Sequence, residues 1–187
     1  MIADEETTLL IKRTFKASAE DVFDAWLTLE RWQAWIGPEG MNCKVTLLEP
    51  RVGGRYRIDM RAPDGSLIPV SGQFEVIDRP RALSFTWGWD GDPTRQSLVT
   101  LHFTEVNGTT EFTLRQEGLQ TVENRRQHEH GWNSALAKLE RYLERTSRPE
   151  PSGKRFRLGS AFLLKVSFEI FGSAGLCMKQ GVHTKSF

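Results

Sequence analysis

A long amphipathic helix is predicted between residues 127 and 143, and it constrains the fold more than any other segment. Its apolar residues recur at helical spacing and form a single stripe, while charged side chains take the other faces. The stripe consists of Trp132, Leu136, Leu139 and Leu143. A helix with one apolar face must cover another apolar surface, and the segments that precede it supply one.

Six segments before this helix alternate apolar and polar residues with a period of two, which predicts strands. They are residues 44–49, 54–60, 68–77, 82–89, 97–105 and 110–117. Asn107-Gly108, between the last two, is the strongest hairpin signal in the chain. With a first strand over residues 8–15, these segments predict an antiparallel sheet.

The apolar residues of each predicted strand share one parity, so they face the same side of the sheet. They are Tyr56, Ile58, Met60, Phe74, Val76, Leu83, Phe85, Trp87, Trp89, Val99, Leu101, Phe103, Phe112 and Leu114. The opposite parity carries polar residues such as Arg57, Glu75 and His102. One face is therefore apolar and rich in aromatic residues, and the long helix is its natural cover.

Two short helices are predicted between the first strand and the rest of the sheet. Ser18 is placed to cap the first, with Asp21 three residues on completing a capping box. The second carries Trp32 and Trp35 and ends at Gly37-Pro38. A strand, two short helices, six strands and a long helix together predict an α+β fold with an antiparallel sheet.

A chain of 187 residues suits a single domain with a sizeable core, which we place at residues 1–146. Residues 147–187 begin with a linker rich in proline and are predicted to be a basic, poorly ordered or loosely docked extension. Charged residues interrupt its apolar stretches, so no run approaches the ~20 residues of a membrane span.

The charge balance argues against a nucleic-acid partner, because the net charge is only +1. The acidic N-terminus lacks the apolar core of a secretory signal, which predicts a cytoplasmic location. Cys43 and Cys177 are far apart and show no metal-binding spacing, so we interpret them as reduced thiols.

Two motifs that suggest chemistry are weak. His128 and His130 are two residues apart, and side chains at that spacing on a helix diverge, so we expect no metal site. Gly53-Gly54 lacks the pattern of a phosphate loop and opens a strand, which favours a tight turn or bulge. We therefore expect neither a metal nor a cofactor.

The aromatic content is the remaining signal of function. Six tryptophans and eleven phenylalanines exceed what one core of this size requires. A curved sheet that grips one long helix leaves space between them, and apolar spaces of this kind are default ligand sites. Gly131 in the helix interior costs about 1 kcal/mol relative to alanine and lets the sheet, the Trp32–Trp35 segment or a ligand come close.

Several motifs together resemble the activator of heat shock protein 90 ATPase homologue family, within the START-like or polyketide cyclase and lipid-transport superfamily. They are Thr14-Phe15-Lys-Ala-Ser18, Val22-Phe23-Asp-Ala-Trp26, Trp32-Gln-Ala-Trp35, Gly53-Gly54-Arg-Tyr56, Pro80-Arg-Ala-Leu83-Ser-Phe85-Thr-Trp87 and His130-Gly131-Trp132. The similarity covers residues 8–145. It implies a helix-grip fold, in which a curved antiparallel sheet wraps around the long helix with a cavity between them.

The resemblance implies several roles: binding of small molecules or lipids, cyclase or dehydratase chemistry, stress-linked sequestration, and stimulation of a chaperone ATPase. Our first hypothesis is a binder of an aromatic or lipid-like hydrophobic molecule, and an enzyme is the less favoured alternative. The candidate ligand-binding residues are Trp35, Tyr56, Phe74, Phe85, Trp87, Phe103, Gln116, His128 and Trp132.

Two alternatives stay open at this point. A cyclase or hydrolase-type enzyme would use His128, Gln116 or Arg125 at the cavity edge as acid, base or oxyanion partner. A chaperone partner module would act instead through an exposed charged or apolar patch.

Overall fold

The computed structural model describes residues 4–90 and 96–146, and it forms a helix-grip fold of the α+β class. The strands are β1 (Leu9–Phe15), β2 (Asn42–Leu48), β3 (Arg55–Arg61), β4 (Leu67–Asp78), β5 (Ala82–Trp89), β6 (Ser97–Val106) and β7 (Thr109–Glu117). The helices are α1 (Asp4–Thr7), α2 (Ala19–Leu27), α3 (Leu29–Trp35) and α4 (Val122–Thr146). The predicted extension over residues 147–187 lies outside the described residues and stays a prediction.

The seven strands form one curved antiparallel sheet in the order β1-β7-β6-β5-β4-β3-β2. Every predicted strand is present, and each bound lies within two residues of its predicted position. The hairpin between β6 and β7 turns at Asn107 and Gly108, whose φ angles of 51° and 76° suit the predicted tight turn. Because neighbours in the sheet are mostly neighbours in sequence, local turn chemistry decides most of the topology.

The two short helices form as predicted after β1. The backbone N–H of Asp21 donates to the Ser18 hydroxyl at 3.1 Å, which is the expected N-cap of α2. The helix α3 follows at once and buries Trp32 and Trp35 against the core. Helix α4 begins at Val122, five residues before the predicted start, because Thr121 caps it through the N–H of Asn124.

The core lies between the concave face of the sheet and the helices. The predicted stripe of α4 is buried in it: Trp132, Leu136, Leu139 and Leu143 are at most 4% exposed. The inner parity of the strands is confirmed with one correction. Val76 is 45% exposed, because a β-bulge between Phe74 and Val76 reverses the direction of the side chains that follow.

Glycines allow two backbones to approach closely within the sheet. A Cβ on Gly72 of β4 would lie 1.8 Å from the carbonyl oxygen of Thr86 and 2.7 Å from the hydroxyl oxygen of Tyr56. The Tyr56 ring of β3 crosses this glycine, and its hydroxyl donates to the Thr86 carbonyl at 2.7 Å. Gly53 turns with a φ of 75° before β3, so the predicted tight turn at Gly53-Gly54 is confirmed.

Candidate functional site

A half-open pocket of about 400 Å³ lies at one end of the sheet, where β3 and β5 end and β2 and β4 begin. We call it the α4 pocket, because the N-terminal half of α4 forms one wall. Its lining residues are Ile36, Gly37, Pro38, Glu39, Met41, Met60, Pro63, Ile68, Trp87, Trp89, Gln127, His128, His130, Gly131, Trp132 and Ala135. They come from α4, the loop between α3 and β2, and the adjoining strand ends.

The inner walls of the pocket are apolar and aromatic. The ring centroids of Trp87 and Trp132 are 4.8 Å apart, so β5 and α4 meet at the pocket floor through their indoles. Met41 and Met60 add thioether side chains, which are adaptable and make favourable contacts with aromatic rings. Such a surface suits a flat apolar molecule better than a charged one.

A buried chain of hydrogen bonds fixes the orientation of Trp132. Its indole N–H donates to Gln116 Oε1 at 2.8 Å, and Gln116 Nε2 donates to Ser97 Oγ at 2.8 Å. The Ser97 hydroxyl in turn donates to the carbonyl of Trp87 at 3.0 Å. Each polar group therefore has a partner although the chain is buried, which holds the pocket floor in one geometry.

His128 forms the polar part of the α4 wall. Its Nδ1 atom lies 2.8 Å from the carbonyl oxygen of Asn124, one turn earlier in the helix. Its ring centroid is 6.2 Å from that of Trp89, so the two rings are neighbours in the pocket lining. Burial lowers the pKa of His128, an effect partly opposed by the bond to Asn124, and this favours the neutral ring at pH 7.

The loop between α3 and β2, which covers one side of the pocket, is fastened to α4. Lys138 Nζ donates to the carbonyls of Ile36 and Gly37 at 3.2 and 3.1 Å, which satisfies the C-terminal end of α3. The N–H of Glu39 donates to Ser134 Oγ at 2.7 Å. These contacts span about one hundred residues of sequence and fix the loop that closes the pocket.

The family can be assigned now that the geometry is described. Residues 16–144 match the model of the family described as activator of Hsp90 ATPase homolog 1-like protein. The chain belongs to this family. The resemblance inferred from the sequence motifs is thereby confirmed, and the helix-grip architecture is consistent with the START-like superfamily.

Solved structures agree with the family assignment. The AHSA1 protein of Silicibacter pomeroyi is 30% identical with a TM-score of 0.64, over 74% of this chain and 99% of that one. A Mycobacterium smegmatis protein is 25% identical with a TM-score of 0.67, over 76% and 94%. A Chromobacterium violaceum protein, 24% identical with a TM-score of 0.69 over 74% and 97%, shows the shared fold. The comparison with curated protein sequences gives no match.

In this member of the Hsp90 ATPase activator homolog family, three of the nine candidate ligand-binding residues line the α4 pocket: Trp87, His128 and Trp132. A fourth, Gln116, lies behind the pocket and holds Trp132. The other five belong to the packed core: Trp35, Tyr56, Phe74, Phe85 and Phe103. The predicted set therefore divides into residues that line the pocket, one residue that orients part of the lining, and residues of the packed core.

The five core residues are occupied by contacts within the protein. The indole N–H of Trp35 donates to the carbonyl of Ala25 at 3.0 Å. The rings of Phe74 and Phe85 pack edge to face, with centroids 6.1 Å apart. Burial raises the pKa of Tyr56 well above its usual value, so its hydroxyl stays protonated as a donor. These rings stabilise the sheet that carries the pocket.

The residues considered for an enzyme are not brought together at one point. His128 lines the pocket, whereas Arg125 faces Glu129 along α4, with 3.4 Å between their charged atoms. Both ends of the Gln116 amide are already bonded. No group of three or more potential metal-ligating side chains occurs within residues 4–90 and 96–146. The enzyme alternative stays a prediction.

Sequence reasoning did not find the side of the pocket that comes from loops and strand ends. Ile36, Pro38, Met41 and Ile68 line it, and the sequence predicts only a helix end at Gly37-Pro38 and a strand that begins at residue 68 there. One signal was present: Met60 and Trp89 have inner parity and lie near the C-terminal ends of β3 and β5, at the same end of the sheet.

The part of the chain that the structure describes holds no helix with both the length and the apolar character to cross a membrane.

Proposed function

We propose that the protein binds a hydrophobic small molecule, aromatic or lipid-like, in the α4 pocket. The observation that carries this proposal is the pocket itself, with about 400 Å³ of space between α4 and the strand ends and indole and thioether walls. Small-molecule sites usually measure about 300–1,000 Å³ and are mainly apolar with a few polar groups. The α4 pocket has the size and the chemistry of that class.

The energetics favour an apolar occupant. Removing apolar surface from water contributes about 25 cal/mol per Å², so a molecule held against the indoles gains affinity without any charged partner. The floor is fixed in advance by the bond from Trp132 to Gln116, which limits the ordering that binding requires. We propose in addition that the side chains lining the α4 pocket contact the ligand directly.

The experiment is a titration of the purified chain with apolar probes, such as naphthalene derivatives and medium-chain fatty acids, followed by tryptophan fluorescence. Two neighbouring residues on β4 offer a matched pair of variants. Ile68 lines the pocket, whereas Leu67 is 45% exposed and is not among the lining residues. Ile68→Glu places a charge at the pocket, and Leu67→Glu places the same charge outside it.

We expect saturable changes in fluorescence with the wild type and with Leu67→Glu, and weaker binding with Ile68→Glu by at least about tenfold. Equal affinities of the two variants would contradict the assignment of the site. Failure of every probe to bind the wild type would overturn the proposed function.

The family description supports a second candidate, a module that interacts with a chaperone and regulates its ATPase. Such a role would use an exposed surface. The exposed apolar residues Leu10 and Val76 lie on β1 and β4, with three strands between them, and form no shared patch. An ATPase assay with the chaperone tests this candidate, and stimulation that Ile68→Glu leaves intact would favour it. A cytoplasmic location stays a prediction from the sequence.

A further inference from the structure

We infer that the α4 pocket selects apolar molecules that carry a hydroxyl group, as phenols do, and that His128 Nε2 accepts the hydrogen bond from that hydroxyl. This inference rests on the proposed binding function and adds to it a chemical class of ligand and the residue that recognises it.

The tautomer of His128 follows from its partner. A carbonyl oxygen can only accept a hydrogen bond, so the Nδ1 atom 2.8 Å from the Asn124 carbonyl must carry the hydrogen. A neutral imidazole has one donor nitrogen and one acceptor nitrogen. The Nε2 atom of His128 is therefore the acceptor, with its lone pair available.

The same geometry directs this acceptor to the pocket. Nδ1 is bonded back to the helix, and the ring itself is part of the pocket wall beside Trp89. Among the described residues, none forms a hydrogen bond with His128 Nε2. A ligand in the α4 pocket beside His128 meets this nitrogen as an available acceptor.

Three other polar groups near the pocket floor are already paired. The Trp132 indole N–H is bonded to Gln116, and the carbonyls of Ile36 and Gly37 accept from Lys138. The exposed side chains at the rim, such as Glu39 and His130, can keep their bonds to water when a ligand enters. His128 is half-buried, so its acceptor loses water on ligand binding and needs a replacement.

The difference between the half-buried acceptor of His128 and the exposed groups at the rim makes the pocket selective for ligands that carry a hydrogen-bond donor. An apolar ligand without a hydroxyl would cover Nε2 and leave it unpaired, and an unpaired buried acceptor is costly. A ligand hydroxyl restores the lost bond. Sites that hydrogen-bond a ligand group discriminate against analogues that lack it for this reason.

The test compares β-naphthol with its methyl ether, which keeps the fused rings and removes the hydroxyl hydrogen. Binding of both is measured by calorimetry at pH 7.5 with the wild type and with His128→Phe, which keeps a ring in the wall and removes both nitrogens. We expect the wild type to prefer β-naphthol by about fivefold to tenfold and the variant to show no preference.

The outcomes separate the two proposals. If the wild type binds both probes with equal affinity, the inference about His128 is overturned while the proposed function stands. If neither probe binds, the proposed function fails for this class of ligand and the inference fails with it. A preference for β-naphthol that persists in His128→Phe would assign the acceptor to another group.

A second measurement tests the inference in the wild type alone and is needed if His128→Phe folds poorly. In wild-type protein with isotope-labelled histidine, NMR reports the Nε2 resonance of the neutral His128 ring directly. β-Naphthol should shift this resonance in the direction of a hydrogen-bonded acceptor, and the methyl ether should not. Equal shifts with both probes would overturn the inference without use of any variant.

Discussion

Replacement of Gly131 by alanine is expected to stabilise the fold and to weaken ligand binding. Gly131 lies in the interior of α4 and lines the α4 pocket. A Cβ added there would meet Pro38 Cγ at 3.8 Å, which is an ordinary van der Waals distance. Neither the sheet nor the Trp32–Trp35 segment therefore requires glycine at this position.

The magnitude follows from helix propensity. Glycine in a helix interior is about 0.8–1.0 kcal/mol less favourable than alanine, so Gly131→Ala should raise the free energy of unfolding by nearly that amount. For a chain of this size, the melting temperature should rise by about 2–4 °C. The new methyl group enters the pocket, so the affinity for β-naphthol should fall.

The assay is urea denaturation followed by tryptophan fluorescence, with Gly72→Ala as the contrasting variant. A Cβ on Gly72 would lie 1.8 Å from the Thr86 carbonyl oxygen, so β4 and β5 must move apart. We expect that variant to lose about 3 kcal/mol.

Destabilisation by Gly131→Ala would refute the reasoning, because it would mean that α4 packs more closely than the contact with Pro38 indicates. Unchanged affinity in a stabilised variant would show that the ligand does not occupy the space beside Gly131.

Three further substitutions test contacts on which the fold depends. Gln116→Leu leaves the indole N–H of Trp132 without an acceptor and should lower the free energy of unfolding in urea by about 2–3 kcal/mol; an unchanged value would mean that the buried chain of hydrogen bonds is dispensable. Tyr56→Phe removes the hydroxyl that bonds to β5 and should cost about 1–2 kcal/mol in thermal unfolding, while a more stable variant would contradict this view. Asp24 is hydrogen-bonded to Arg79, which lowers the pKa of this carboxyl, so its contribution is present above about pH 4 and is lost as the pH falls through the folded-state pKa. Asp24→Asn should therefore lower the free energy of unfolding at pH 7, and the variant should lose less stability in acid than the wild type. Identical dependence of the unfolding free energy on pH in the two proteins would rule this out.

Elements that depend on nearby residues could be predicted from the sequence. The Ser18 cap, the Asn107-Gly108 hairpin and the stripe of α4 all formed as expected. Each is decided by interactions within a few residues or by a single period of hydrophobicity. The same local rule placed Val76 on the wrong face, because a bulge inserts one residue without any clear mark in the sequence.

The division of the aromatic residues into core and pocket could not be predicted in this way. Phe85 and Trp87 have the same parity on the same strand, yet Phe85 packs within the core and Trp87 lines the pocket. Their roles differ because Phe85 packs against Trp26 of α2, with ring centroids 6.0 Å apart, whereas Trp87 packs against Trp132 of α4 beside the open space of the pocket. The spacing of residues along a strand contains no information about where the covering helix leaves space.

The sequence by itself therefore determined the order of the elements, most of their inner faces, their turns and the family, since these depend on periodicity and on motifs that can be read along the chain. Only the tertiary structure decided where the pocket lies and which residues form it. Lys138 holds the loop after α3 from about one hundred residues away, and Gln116 orients Trp132 from another element. Contacts of this kind depend on the curvature of the sheet and the position of α4, which arise only when the whole domain packs.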